Sequence, residues 1–94
     1  MSTRFEILKN GQRICIAGIN GAGVLSVDLT YMKGAGQQEA HHLQITGMGT
    51  FEDSQDRQCP AEWPSSGVGF GDDITIRVLP TGKFDQPLRI SNNP

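Results

Sequence analysis

Residues 14–29, ICIAGINGAGVLSVDL, decide how the rest of the chain is read. An apolar run, Ile14 to Ile16, precedes Gly18, Gly21 and Gly23, and a second apolar run follows. With a helix after them, such glycines form a phosphate cradle, because the first amides and the dipole of the helix hold a pyrophosphate. With a strand after them, they serve only backbone geometry. The downstream residues separate the two cases. Leu25, Val27, Leu29 and Tyr31 fall on one side, and Val24, Ser26, Asp28, Thr30 and Met32 on the other. Leu25, Leu29 and Met32 also fit a helical spacing, but the unbroken alternation and β-branched content predict a strand over Val24 to Met32. Gly21 to Ser26 half-matches a dinucleotide fingerprint, with Ser26 in place of its last glycine or alanine, and the phosphate loop with its lysine is absent. The chain is also too short for a doubly wound dinucleotide domain. The expectation is a glycine-rich hairpin turn.

Alternation recurs on both sides of this stretch. Phe5 and Ile7 share a face within Thr3 to Lys9. Asn10-Gly11 then supplies the two positive φ angles of a type I′ turn, and Gln12 to Ala17 is the return strand. Glu39 to Met48 is a fourth strand, with His41, Leu43 and Ile45 alternating with His42, Gln44 and Thr46. Ile74, Ile76 and Val78 mark a fifth from Ile74 to Leu79, and Gln86 to Ile90 is an optional short edge strand. Between them, residues 50–71 show no period and contain two prolines. Glu52 to Gln58 has room for one helical turn, and Phe51, Trp63 and Phe70 are expected to pack this long irregular loop onto the sheet. Residues 91–94 are read as a frayed tail. The predicted architecture is mainly β. It is one domain over residues 1–94, a small antiparallel β-sandwich or open barrel of five or six strands with one long loop.

Composition narrows the function classes. The 94 residues carry a net charge of −2, and the eight lysines and arginines form no run, so nucleic acid is an unlikely partner. No apolar stretch approaches the ~20 residues that span a bilayer, and MSTRFEILKNG contains no signal-peptide core. A cytoplasmic protein is the expectation, with Cys15 and Cys59 as thiols. Cys15 is read as a core residue, and Cys59, before Pro60, as exposed.

The chemistry-bearing residues are few. His41 and His42 point to opposite faces of a strand and match no zinc spacing, so no metal is expected. Glu52, Asp53 and Asp56 lack the periodic oxygen series of a calcium loop. Asp72, after Gly71, reads as turn chemistry. Ser26 is in no nucleophile elbow. If the strands bearing them are neighbours, Asp28, His42 and Arg77 line a shallow polar groove fit for acid–base work. A second candidate site is an apolar pocket under the 50–71 loop lined by Phe51, Trp63 and Phe70.

GVLSVDLTY at residues 23–31 and GDDITIRVL at residues 71–79 resemble signatures of small, uncharacterised bacterial proteins, of the kind carried in mobile gene cassettes such as those of integrons. That resemblance implies a bacterial β-rich domain and carries over no catalytic residue. The balance is against an enzyme and requires no cofactor. The first expectation is a non-catalytic protein-interaction module, self-associating as a homodimer or binding another protein. The alternative is a small-ligand-binding protein or small enzyme with its pocket under residues 50–71.

Overall fold

Val24 to Met32 is extended, as its alternation requires, and the nucleotide-loop reading falls with the missing helix. The computed structural model describes residues 3–36, 39–50 and 59–90. Within them run β1 (Thr3–Lys9), β2 (Gln12–Gly18), β3 (Asn20–Lys33), β4 (Glu39–Thr50), β5 (Cys59–Glu62), β6 (Ser66–Val68), β7 (Ile74–Pro80) and β8 (Arg89–Ile90), with no helix among the described residues. All pairings are antiparallel. One sheet has the order β2-β1-β7, and the other has the order β3-β4-β5-β8 with β6 also paired to β4. The two sheets share one core and form no closed barrel, so the protein is a small antiparallel sandwich.

Asn10-Gly11 makes the expected turn, with φ angles of 53° and 82°. Asn20-Gly21 does not. β2 pairs with β1 up to Gly18 and β3 pairs with β4 from Asn20, so the chain passes from one sheet to the other at Ile19, and Asn20-Gly21 already belong to β3. The expected glycine hairpin is an inter-sheet corner, and it runs into a register shift between Asn20 and Val24. Gly23 sits where a Cβ would collide with the Met48 carbonyl oxygen of the paired strand. That close approach is the use the corner makes of its glycine.

The core is assembled by strand alternation. From the three-stranded sheet come Ile7, Cys15 and Ala17, joined by Ile19 from the corner; from the other come Leu43, Ile45 and Ala61, with Trp63 just beyond β5. His42 and Gln44, between the buried positions of β4, face outward and are exposed.

Residues 50–71 are less irregular than expected. β5 and β6 lie inside that range and pair, one after the other, with β4. Strands of three and four residues carry too little alternation to be read, and Pro60 disguises the first. Pairing also overturns the expected exposure of Cys59. In β5, Cys59 and Ala61 point inward while Pro60 and Glu62 point out. Phe51, the helical turn over Glu52 to Gln58 and the tail 91–94 lie outside the described residues.

Asp85 ties the sheets together at one side. Its amide donates to the Ile16 carbonyl at 2.8 Å, and its carboxylate accepts from the Ile16 amide at 2.8 Å. Its carbonyl accepts from the indole Nε1 of buried Trp63 at 2.8 Å. Four residues further on, the same segment becomes β8 and pairs with β5.

Trp63→Ala is expected to lower the unfolding free energy by about 3–5 kcal/mol, because it empties the largest buried site. Trp63→Phe keeps most of the volume but strips the Asp85 carbonyl of its donor, for a loss of about 1–3 kcal/mol. Urea titration followed by circular dichroism checks both; a Trp63→Ala loss under about 1 kcal/mol would exclude Trp63 as the centre of the core.

Candidate functional site

Sheet membership decides the fate of the polar groove. Asp28 lies on β3 opposite Gln44, and His42 lies on β4 opposite Thr30, so these two are diagonal neighbours on one exposed face. Arg77 belongs to β7, in the other sheet, opposite Glu6. Its guanidinium is 3.3 Å from the Glu6 carboxylate, which Arg13 also approaches at 3.8 Å. The expected meeting of Asp28, His42 and Arg77 therefore does not occur. Alternation placed each residue on a face correctly, but it carries no information on which strands share a sheet.

The expected apolar pocket is changed as well. Trp63 is buried in the core with its Nε1 bound to Asp85, and is not a wall open to a ligand. Phe70 is 88% exposed and packs onto no core. An open cleft of about 450 Å³ lies elsewhere, at the tip of the β3–β4 hairpin, lined by Met32, Gly34, Glu39 and Ala40. No group of three or more His, Cys, Asp or Glu among the described residues is arranged to hold a metal.

Cys15 is buried, and that burial, reinforced by the charge of Asp85, pushes its thiol up to about 11. A nucleophilic cysteine requires the opposite shift.

What the structure does bring together is a row of rings. Tyr31 stands opposite His41, with ring centroids 5.2 Å apart, and Phe70 meets His41 edge-on at 5.3 Å. Leu29 is on the same side of β3 as Tyr31, and both are more than half exposed. The row continues the core face of the β3–β4 hairpin past the end of the core. The Tyr31–His41 pair was accessible from sequence by counting the hairpin register outward from residues 34–38. The position of Phe70 was not, because it depends on β6.

A network of polar contacts holds the turn that presents Phe70. The Asp72 amide donates to the Gly69 carbonyl at 3.2 Å, and Gly71 has a φ of 87°, which suits the third position of a type II turn. The Asp72 carboxylate accepts from the Gly69 amide at 2.7 Å and from Asn10 Nδ2 at 2.9 Å, with Lys9 Nζ at 3.8 Å. Asn10 Oδ1 accepts from the Asp73 amide at 2.9 Å, and the Asn10 amide donates to the Asp73 carbonyl at 2.8 Å. Lys9 Nζ also donates to the Gly67 carbonyl at 2.9 Å. The β1–β2 turn and the Phe70 turn thus hold one another.

Comparison of the chain with protein-family models, curated proteins and solved structures finds no match. No helix among the described residues is long and apolar enough to cross a membrane.

Two outcomes follow. The hydrogen bonds from Asn10 and Gly69 lower the Asp72 carboxyl below its ordinary value of 3.8. A depressed folded-state value stabilises the fold above the unfolded value, and that stabilisation is lost as pH falls through the folded one. Melting temperature is therefore expected to fall more between pH 5 and pH 2 for the wild type than for Asp72→Asn; parallel profiles would remove Asp72 from the acid response. Separately, Cys15 and Cys59 are expected to resist a thiol-specific chromogenic reagent at pH 8 until denaturant is added. Rapid labelling of the native protein would contradict their burial.

Proposed function

We propose that the protein is a non-catalytic interaction module that self-associates as a homodimer. The observation that carries this reading is the distribution of exposed apolar side chains on β3. Val24, Leu29, Tyr31 and Met32 are 61, 60, 54 and 64% exposed on a single strand. β3 ends the strand order of its sheet, so one of its edges has no neighbouring strand among the described residues. Isolated apolar residues on a surface need no explanation, but a concentration on an open edge is a common mark of an interaction site. The chemistry-bearing residues support the same reading. Asp28, His42 and Arg77 are dispersed between the sheets, and the Cys15 thiol is held protonated.

Sedimentation equilibrium over about 1–100 µM should show a monomer–dimer equilibrium, because such a surface belongs to the small, weakly bound class of interfaces. Tyr31→Lys should weaken dimerisation at least tenfold, since lysine on an edge opposes strand pairing. Tyr31 is half-exposed, so its unfolding free energy should change by only about 0.5 kcal/mol. A wild-type protein that stays monomeric across the range overturns the proposal.

A further inference from the structure

The exposed residues of β3 lie on both of its faces. Leu29 and Tyr31 point to the core side of the sheet, and Val24 and Met32 to the other. A partner lying against one face would border only two of them. A strand added beside β3 borders all four and also pairs the open backbone edge. We propose that the occupant of this edge is β3 of a second copy, paired antiparallel about a two-fold axis that passes through Leu29. This inference rests on the self-association proposed above and names its interface.

Pairing rules select the register. Residues directly opposite in an antiparallel pair share a face, so for two identical strands the axis must pass through a residue. Between Val24 and Met32 the single charged residue is Asp28. An axis through Asp28 sets two carboxylates opposite each other, which is destabilising. An axis through Thr30 sets Asp28 opposite Met32 of the second copy, leaving the carboxylate against an apolar side chain, and an axis through Val27 sets Asp28 opposite Ser26 but leaves exposed Tyr31 and Met32 opposite only Gly23 and Ala22. An axis through Leu29 sets Asp28 opposite the Thr30 hydroxyl, Leu29 opposite itself and Val27 opposite Tyr31. On the core side, the aromatic, branched and aliphatic residues then meet one another. On the other side Ser26 faces Met32, and each carboxylate meets a hydrogen-bond donor.

The register shift of β3 lies before Val24, and from Val24 to Met32 its one charge is Asp28. The strand contains no proline, and its lysine, Lys33, stands at its very end. Isologous pairing of this kind closes on itself and hides both edges at once, so it ends at a dimer.

Cysteine cross-linking reads the register directly. Directly opposite residues have Cα atoms about 4.5–5.5 Å apart, within the reach of a disulfide. Leu29→Cys should therefore give a covalent dimer under mild oxidation. Val27→Cys should not, because the two copies of residue 27 are offset by four residues, about 13 Å along the strands. The double variant Val27→Cys/Tyr31→Cys should restore the cross-link. The native thiols are buried, and the wild type, which should not cross-link, controls for them. Circular dichroism verifies that each variant is folded. If the wild type sediments as a dimer but Leu29→Cys does not cross-link, this interface is overturned while self-association stands. If Val27→Cys alone cross-links as well as Leu29→Cys, the register is overturned. If the wild type is monomeric at 100 µM, both proposals fall and the edge is left to a strand of a different protein.

Discussion

The clasp between Trp63 and Asp85 is the contact on which the rest of the sandwich depends. Two sheets of short strands bury little surface each, and nothing in their pairing obliges them to meet. Asp85 gives them a common point. It bonds the Ile16 backbone in one sheet through both its amide and its carboxylate, and its carbonyl takes the indole proton of Trp63 beside the other. The indole is a large apolar body with one polar atom, so burying it is favourable only when that atom has a partner. Trp63 therefore fills the core and specifies which segment must close it. β8 follows within a few residues and completes the seam by pairing with β5.

Among the described residues, closing one seam leaves the other side of each sheet open. β7 ends the order of the first sheet and β3 that of the second. Ile76 and Val78 on β7 are exposed although Ile76 lies opposite fully buried Ile7. On β3 the exposure has a further cause. β3 has 14 residues and its counterparts β1, β2 and β7 have seven each. At ~3.3 Å per residue the longer strand outruns the shorter by more than 20 Å. The molecule is accordingly long and thin, 45 × 31 × 17 Å. The overhang carries Tyr31 past the end of the core, beside half-buried His41, whereas Leu29, opposite fully buried Leu43, is exposed by its place on the end strand of the sheet.

This distinction also explains what was legible in the sequence. Alternation is a local property, so β1, β2, β3, β4 and β7 could be placed from the spacing of their apolar residues, and Asn10-Gly11 from the φ angles it favours. The face of each residue followed too, including the exposure of His42 and the burial of Cys15. Properties that depend on partners were not legible. Asp28 and Arg77 are both on polar faces, but they sit in different sheets. Cys59 stands in a segment with no visible period, and only its pairing with Gly49 turns it inward. Asn20-Gly21 has the same composition as the true turn at Asn10-Gly11, yet it opens a strand of the other sheet. Phe70 and Trp63 are both aromatic residues in the same irregular stretch. One becomes the centre of the core and the other, among the described residues, the most exposed large apolar side chain, and no local pattern distinguishes them.

The treatment of Phe70 bears on what the exposed surface is for. An aromatic side chain in water gains nothing from being held still, and ordering its turn costs conformational entropy. Yet the turn is tied by the Asp72 carboxylate, by both ends of the Asn10 amide and by Lys9. Some of those contacts serve the fold itself, since they join the β1–β2 turn to the entry of β7. That need would be met equally well with a polar residue at position 70. On the interaction reading proposed above, a ring held edge-on to His41, which also faces Tyr31, would meet a partner at a lower ordering cost. β3 and the Phe70 turn thus share one property. Each keeps apolar groups exposed to water on a backbone that hydrogen bonds already fix, along β4 for the one and through Asp72 and Asn10 for the other.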